Sequence, residues 1–375
     1  MPFGCTALNR ASWGALAPLP EWAVAFQGPL SGDFAWVGEN LCASVEIALA
    51  HAHEDGLLAR PVALRRHDSG GRPELAPKLA RAIAGDPAIV ALVGPTFSRE
   101  VAAAGDVLAE AGLPFLVPVA TRPDLGDQGW GTFFRLVASD AARAPLTAYL
   151  MRDELGVEQA AVVSDESESG RRLAGLLDTA LVETGVAVVH RSEVRRHDDS
   201  YREAGRAVAS SGADGLYFAG EYREAALLRR ELAENGSPVA FVSDDGVLTP
   251  KFVEAAGPAA EGCFVTFPGA DAETVPRLGR DFKRLHGRPP AAFATEAYQA
   301  ATLVACALAE GGTARGDVHE YLAAFAGDVA GRRLTFDADG ECVPQIFYAY
   351  EVADGAWTLR RPLTAPALRP GGTTE

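Results

Sequence analysis

Residues Ile89–Val117 read IVALVGPTFSREVAAAGDVLAEAGLPFLV, and they contain a complete strand–loop–helix–strand passage. Five consecutive apolar residues, Ile89–Val93, suit a strand covered on both faces. Gly94-Pro95 breaks the run. From Ser98 to Ala111 the apolar residues recur at helical spacing, and Leu113–Val117 is again strand-like. Two strands joined through a helix of this length pair in parallel, because the helix carries the chain back along the sheet. The passage therefore predicts an α/β fold built on a parallel sheet.

The same rhythm extends in both directions. Upstream, Trp22–Gln27 predicts a strand and Gly28–Gly32 a glycine/proline loop. Val37, Leu41, Val45, Ala48 and Ala52 then mark one face of a helix, followed by a strand at Pro61–Arg66 and a helix over 73–84. Downstream comes a short strand at Phe133–Leu136. The alternation then restarts with helix Ala141–Leu155, strand Ala160–Ser164, helix Ser169–Thr184 and strand Val186–His190. Helix 200–210, strand Gly215–Phe218, helix 222–234 and strand Val239–Val242 complete the second set. A single sheet with so many strands would be unusually wide, so two α/β units are expected. Helices over 273–286, 293–310 and 315–325 follow. After them, Arg333–Phe336, the DADG turn at Asp337–Gly340 and Gln345–Glu351 read as an antiparallel hairpin.

Composition agrees with two globular units. The chain has 375 residues, 48% of them apolar and 22% charged. Fifty acidic residues against 34 basic ones give a formal charge of −16, which disfavours nucleic acid and anionic membrane surfaces as partners. No CxxC occurs among the five cysteines. Packing as free thiols is the expectation, with one disulfide between Cys263 and Cys342 as the alternative. Residues 1–20 lack the basic and apolar regions of a signal peptide, although PFGC ending at Cys5 has a trace of a lipoprotein signal. Residues 1–19 and 363–375 are expected to be flexible termini.

Motifs for catalysis are lacking: there is no GxSxG, HExxH, GxxxxGK[ST], or GxGxxG after the first strand. His51 and His53 lie two apart on a helical pattern, so they point to different faces and are expected at the surface rather than on a shared metal. The expectation is a protein that is not an enzyme and needs no cofactor or metal. What recurs instead is a polar loop after each parallel strand. In open α/β sheets such loops face the ligand crevice. One unit offers Ser98 at the start of a helix, whose free N–H groups suit a carboxylate, together with Val119, Ala120 and Thr121. The other offers Asp165–Ser169, Glu221-Tyr222 and Ser243–Gly246, which are rich in carboxylates. A zwitterion held by both sets would satisfy each.

Over about residues 20–360 the chain resembles the type I periplasmic binding proteins of the branched-chain amino-acid group, the substrate receptors of ABC importers. The likeness runs in order through GPLSGDFAWVG (28–38), LVGPTFS (92–98), LAEAGLPFLVPVATRPDL (108–125), FFRLVASDA (133–141) and VVSDESESG (162–170). It continues through LYFAGEYREAALL (216–228), FVSDDGV (241–247), TEAYQAA (295–301) and LTFDADGE (334–341). The resemblance implies two Rossmann-like lobes joined by a three-segment hinge and closing like a Venus flytrap on a small ligand. Lobe 1 would comprise 20–138 plus 267–331, and lobe 2 would comprise 139–266 plus 332–362.

Residue by residue, the resemblance places Ser98 on the ligand carboxylate and Val119, Ala120 and Thr121 in an adjoining contact loop. Asp245 stands where the family receives an α-ammonium. Ser169 stands where the family often has an aromatic residue, and Glu221 followed by Tyr222 replaces another aromatic position. These exchanges suit a larger or more polar ligand than leucine. The resemblance implies a monomeric receptor for an amino acid or analogue, working with the transmembrane subunits of an ABC permease. It would be extracytoplasmic, in the periplasm or as a cell-surface lipoprotein. A cytoplasmic amide- or amino-acid-sensing regulator of the same fold is the alternative.

Overall fold

A computed structural model describes residues 22–195, 199–270 and 274–363; both expected flexible termini lie outside these residues, apart from Leu363. The chain divides into two compact units. Unit 1 holds the residues up to Ala138 plus Gly269–Gln345, and unit 2 holds Ser139–Pro268 plus the residues from Ile346 onward.

The first segment of unit 1 runs β1 (Ala23–Gly28), α1 (Ala35–Glu54), β2 (Ala63–Asp68), α2 (Ala76–Ala84), β3 (Ile89–Val93), α3 (Ser98–Glu110), β4 (Phe115–Val117) and β5 (Phe133–Arg135). Its five-stranded sheet has the order β2-β1-β3-β4-β5, and every pairing is parallel. Ala23, Ala25, Leu92 and Phe115 from the strands pack with Ala80, Ile83, Val101 and Leu108 from α2 and α3. Helix α1 buries Leu41, Val45, Ala48 and Ala52, the stripe its spacing predicts.

Unit 2 opens with α4 (Asp140–Tyr149), β6 (Gln159–Asp165), α5 (Glu168–Glu183), β7 (Ala187–Val194), α6 (Ser200–Ser210), β8 (Gly215–Ala219), α7 (Tyr222–Glu234), β9 (Ala240–Ser243), α8 (Pro250–Ala256) and β10 (Phe264–Phe267). The chain returns to unit 1 for α9 (Pro276–His286), α10 (Ala294–Glu310), α11 (Arg315–Ala323) and a three-stranded sheet of β11 (Ala326–Val329), β12 (Arg332–Phe336) and β13 (Cys342–Val343). It ends in unit 2 with β14 (Phe347–Ala353) and β15 (Ala356–Leu363). The sheet of unit 2 has seven strands in the order β15-β14-β10-β9-β8-β6-β7. β14 runs antiparallel to β10, and β15 antiparallel to β14.

Several details differ from the sequence pattern. The expected hairpin between Arg333–Phe336 and Gln345–Glu351 does not form. β12 pairs with β11 and β13, whereas β14 pairs with β10 and β15. Alternation in a strand is local and does not choose a partner. Accordingly residues 332–345 belong to unit 1, and the last crossing falls after Gln345 rather than after residue 331. Arg332, inside unit 1, shows why: its guanidinium donates to the carbonyls of Leu136 (2.6 Å) and Pro344 (3.1 Å).

His51 is buried rather than at the surface, bonded to the Tyr298 hydroxyl and to Asp281 at 2.9 Å each. Cys42, Cys263, Cys306 and Cys342 are buried free thiols, so the alternative disulfide between Cys263 and Cys342 is not made. Among the described residues no helix is long and apolar enough to cross a membrane.

Candidate functional site

The parallel part of each sheet contains a switch point, where successive connections leave on opposite sides. In unit 1 it lies between β1 and β3, and in unit 2 between β6 and β8. Ligands of open α/β sheets bind outside the C-terminal strand ends at such points, because the loops there diverge and leave a crevice.

In unit 1 the relevant loops follow β1, β3 and β4. Asp68 organises the first: its Oδ1 accepts N–H groups from Leu30 (2.8 Å), Ser31 (3.1 Å) and Gly70 (2.8 Å). Partial burial opposes ionisation of Asp68, but the Ser31 hydroxyl and these backbone donors hold its carboxyl below the usual range. The second loop turns at Gly94, where φ is +116° and an added Cβ would stand 2.4 Å from the Gln27 carbonyl oxygen. Only glycine allows that approach.

Phe97 precedes α3 in an extended conformation, and its N–H is held by the Glu100 carboxylate at 3.0 Å. Ser98 is thus the first residue of the helix, half-buried, rather than its cap. Its Oγ accepts the Arg122 N–H at 3.4 Å, tying the third loop to the second. In that third loop Ala120 is buried while Val119 and Thr121 are half-buried. Buried Arg135 braces it by donating to the carbonyls of Arg122 (2.7 Å) and Ala120 (3.4 Å) while pairing with Glu341. The structure therefore brings Ser98 and the loop 119–122 together inside one unit.

In unit 2 the loops follow β6, β8 and β9. Asp165, fully buried at the end of β6, accepts the Ser167 N–H at 3.0 Å and its hydroxyl, and the Ser167 Oγ in turn caps α5 by accepting from Gly170 at 2.9 Å. Ser169 is exposed, with its hydroxyl 3.2 Å from that of Ser167. Glu221 holds the N-cap position of α7 without a side-chain capping bond, and both it and Tyr222 are half-buried; the Lys251 ammonium lies 5.9 Å from the Tyr222 ring centroid.

After β9, Asp244 is buried and accepts N–H groups from Gly246 (2.8 Å) and Gly220 (3.3 Å). Burial and the adjacent Asp245 carboxylate push its carboxyl well above the usual range, and Arg143 only partly opposes this.

Asp245 is about a quarter exposed, and its Oδ1 lies 2.5 Å from Nη2 of Arg143, which is itself only 2% exposed. Arg143 comes from the first turn of α4, a segment whose amphipathic pattern marks it only as a packing helix. Its Nε is 3.7 Å from Asp140, whose other oxygen is 3.4 Å from Arg172. Two arginines and two aspartates thus form an alternating chain, Arg172–Asp140–Arg143–Asp245. Sequence reasoning singled out Asp245 and missed the other three. The available signal was Asp140 followed three residues later by Arg143 at a helix start, a spacing that puts both on one face.

The family model for periplasmic binding proteins matches residues 21–356. The chain belongs to the type I periplasmic binding proteins of the branched-chain amino-acid group. This periplasmic binding protein is 26% identical over 346 residues to the Leu/Ile/Val-binding protein BraC3 of Rhizobium johnstonii, covering 90% of this chain and 94% of that one. Its fold matches the leucine-binding protein LivK of Thermotoga maritima with a TM-score of 0.80 at 21% identity, covering 92% and 100% of the two chains. It also matches an ABC-transporter solute-binding protein of R. palustris, solved in complex with benzoate, with a TM-score of 0.76 at 20% identity and coverage of 91% and 96%. Members of this family are binding proteins rather than enzymes. The relatives are binding and transport proteins, so they do not favour the regulator reading.

Proposed function

We propose that this protein is the extracytoplasmic solute receptor of an ABC importer and captures an amino acid or similar small polar ligand. One observation carries the reading beyond family membership. At the switch point of each sheet, ordered polar loops stand at the C-terminal strand ends, where the fold binds its ligand. Ser98, Val119, Ala120 and Thr121 would serve the ligand from unit 1, with Ser98 and the first turn of α3 on an anionic group. Ser169, Glu221, Tyr222 and Asp245 would serve it from unit 2. Ligand that contacts both units favours their closed arrangement by its differential affinity, which a permease then reads. BraC3 is named for leucine, isoleucine and valine, and the R. palustris protein holds benzoate. The reading therefore spans ligands with and without an amino group.

The test is thermal unfolding against a panel of amino acids, amides and small aromatic acids. A cognate ligand at 100 times its Kd adds about 2.7 kcal/mol of stability. A panel that leaves unfolding unchanged throughout would sink the receptor reading.

A further inference from the structure

We infer that Arg143 makes the unit-2 site one for carboxylate solutes that lack an α-ammonium group. The inference rests on the receptor reading above and narrows its ligand class.

A ligand ammonium removed from water needs a carboxylate whose charge is not already matched. Four aspartates at this end of unit 2 are already committed. Asp165 is fully buried on the Ser167 amide and hydroxyl. Asp244 accepts two backbone N–H groups and resists ionisation. Asp140 lies between Arg143 and Arg172. Asp245 already faces a permanent cation at 2.5 Å.

That cation is locked in place. Arg143 is only 2% exposed, and a guanidinium does not release its proton at any relevant pH. An ammonium on the remaining oxygen of Asp245 would sit beside this guanidinium, so like-charge repulsion would oppose much of the attraction.

A second observation points the same way. The Arg143 contact is an ion pair rather than a directed hydrogen bond: neither Nε nor Nη2 has an acceptor aligned with its N–H. These donors are sealed from solvent, so the guanidinium acts on a ligand through its field at Asp245 rather than by direct contact. Arg143 is thus a specificity residue that acts through Asp245.

The choice of probe follows from unit 1. Beside Ser98, the ring of Phe97 packs edge-to-face on that of Phe34 with centroids 5.3 Å apart, and Phe34 is 39% exposed. Aromatic side chains are therefore suitable bodies for the comparison.

The experiment is calorimetric titration of the full chain with matched pairs: 3-phenylpropanoate against L-phenylalanine, and 4-methylpentanoate against L-leucine. In the wild-type protein the acid without the amino group should bind at least tenfold more tightly in at least one pair. Arg143→Gln, and Arg143→Met as a neutral variant of similar length, should move that ratio at least tenfold toward the amino acid. A merely structural role would weaken both members of a pair alike. Equal or tighter binding of the amino acids by wild type overturns the inference while leaving the receptor reading standing. The wild-type ratio alone decides this if neither variant folds. Failure of all four probes, with binding of some other amino acid, also overturns it. Failure of every solute in the wider panel removes the receptor reading and this inference together.

Discussion

Asp245 and Arg143 meet at 2.5 Å inside unit 2, one a quarter exposed at a strand end and the other sealed in the first turn of a helix. The contact supplies Asp245 with an internal counter-charge, so the residue has a structural role whatever the ligand. Removing one partner of a buried pair is costly because the other remains charged away from water. Asp140 still faces Arg143 after such a change, and Asp245 is partly solvated, so the loss is moderated. Asp245→Asn should lower stability by about 1–3 kcal/mol, read as a shift of the urea midpoint. An unchanged midpoint would show that the pair contributes nothing to the fold.

Ser98 stands at the first turn of α3, half-buried, with its Oγ on the Arg122 N–H. Ser98→Ala should weaken binding of an anionic ligand by about 1–3 kcal/mol through the loss of a hydrogen bond to a charged group. Calorimetry with the best panel ligand measures it. Unaltered affinity would take Ser98 out of the site.

Gly94 has φ +116° and no room for a side chain beside the Gln27 carbonyl. Gly94→Ala should destabilise unit 1 by about 1–3 kcal/mol, the scale of one residue forced into a left-handed conformation, with the backbone clash adding to it. Ligand affinity should fall as well, since this turn aims Ser98. A variant with wild-type stability and binding would show that the loop repacks without cost.

His51 lies buried between Tyr298 and Asp281. Burial and the Arg277 charge lower its pKa below the usual 6.5, and Asp281 opposes this without cancelling it. The folded state then binds fewer protons at His51 than the unfolded state, so the contribution to stability is complete above pH 6.5 and is lost as pH falls through the folded-state value. Asp281 has a lowered pKa and stays ionised across that window. Relative to His51→Gln, the wild-type urea midpoint should decline as pH falls from 7.5 to 5, a comparison that removes the opposite contribution of the raised Asp244 carboxyl. An equal slope in the variant would assign the decline to other groups.

Unit 2 is closed by the last two strands. Trp357 on β15 stacks on Phe252 with ring centroids 5.6 Å apart and donates to the Thr249 carbonyl at 3.1 Å, while Val352 on β14 joins the core. A fragment spanning 139–268 would expose that core and leave β10 as an open edge, so it should fail to give a cooperative unfolding transition. Joining 346–363 to it through a flexible linker should restore one. Cooperative unfolding of the shorter fragment would show that the two strands are dispensable.

Much of this architecture is legible in the amino-acid sequence because its signals are local. Ile89–Val93 is a strand at the residues its apolar run marks, and α3 begins at Ser98 as the spacing predicts. The polar loops after the parallel strands are legible for the same reason, since glycine, proline and hydroxyl residues punctuate the chain where strands end. By contrast, β10 and α8 have no counterpart in the pattern, because Gly246, Pro250, Gly257, Pro258 and Gly262 make that stretch read as loop.

Local residue patterns set the alternation of strands and helices, the division into two α/β units and the places where polar loops stand. Which charges on those loops are already matched emerges only when the elements pack. Arg143 becomes the partner of Asp245 because α4 begins beside the end of β9, and Arg332 holds 332–345 in unit 1 because Leu136 and Pro344 converge on it. Periodicity reports which face of one element is buried. Ion pairing depends on distances between elements far apart in the chain, and those are set when the sheets and helices pack.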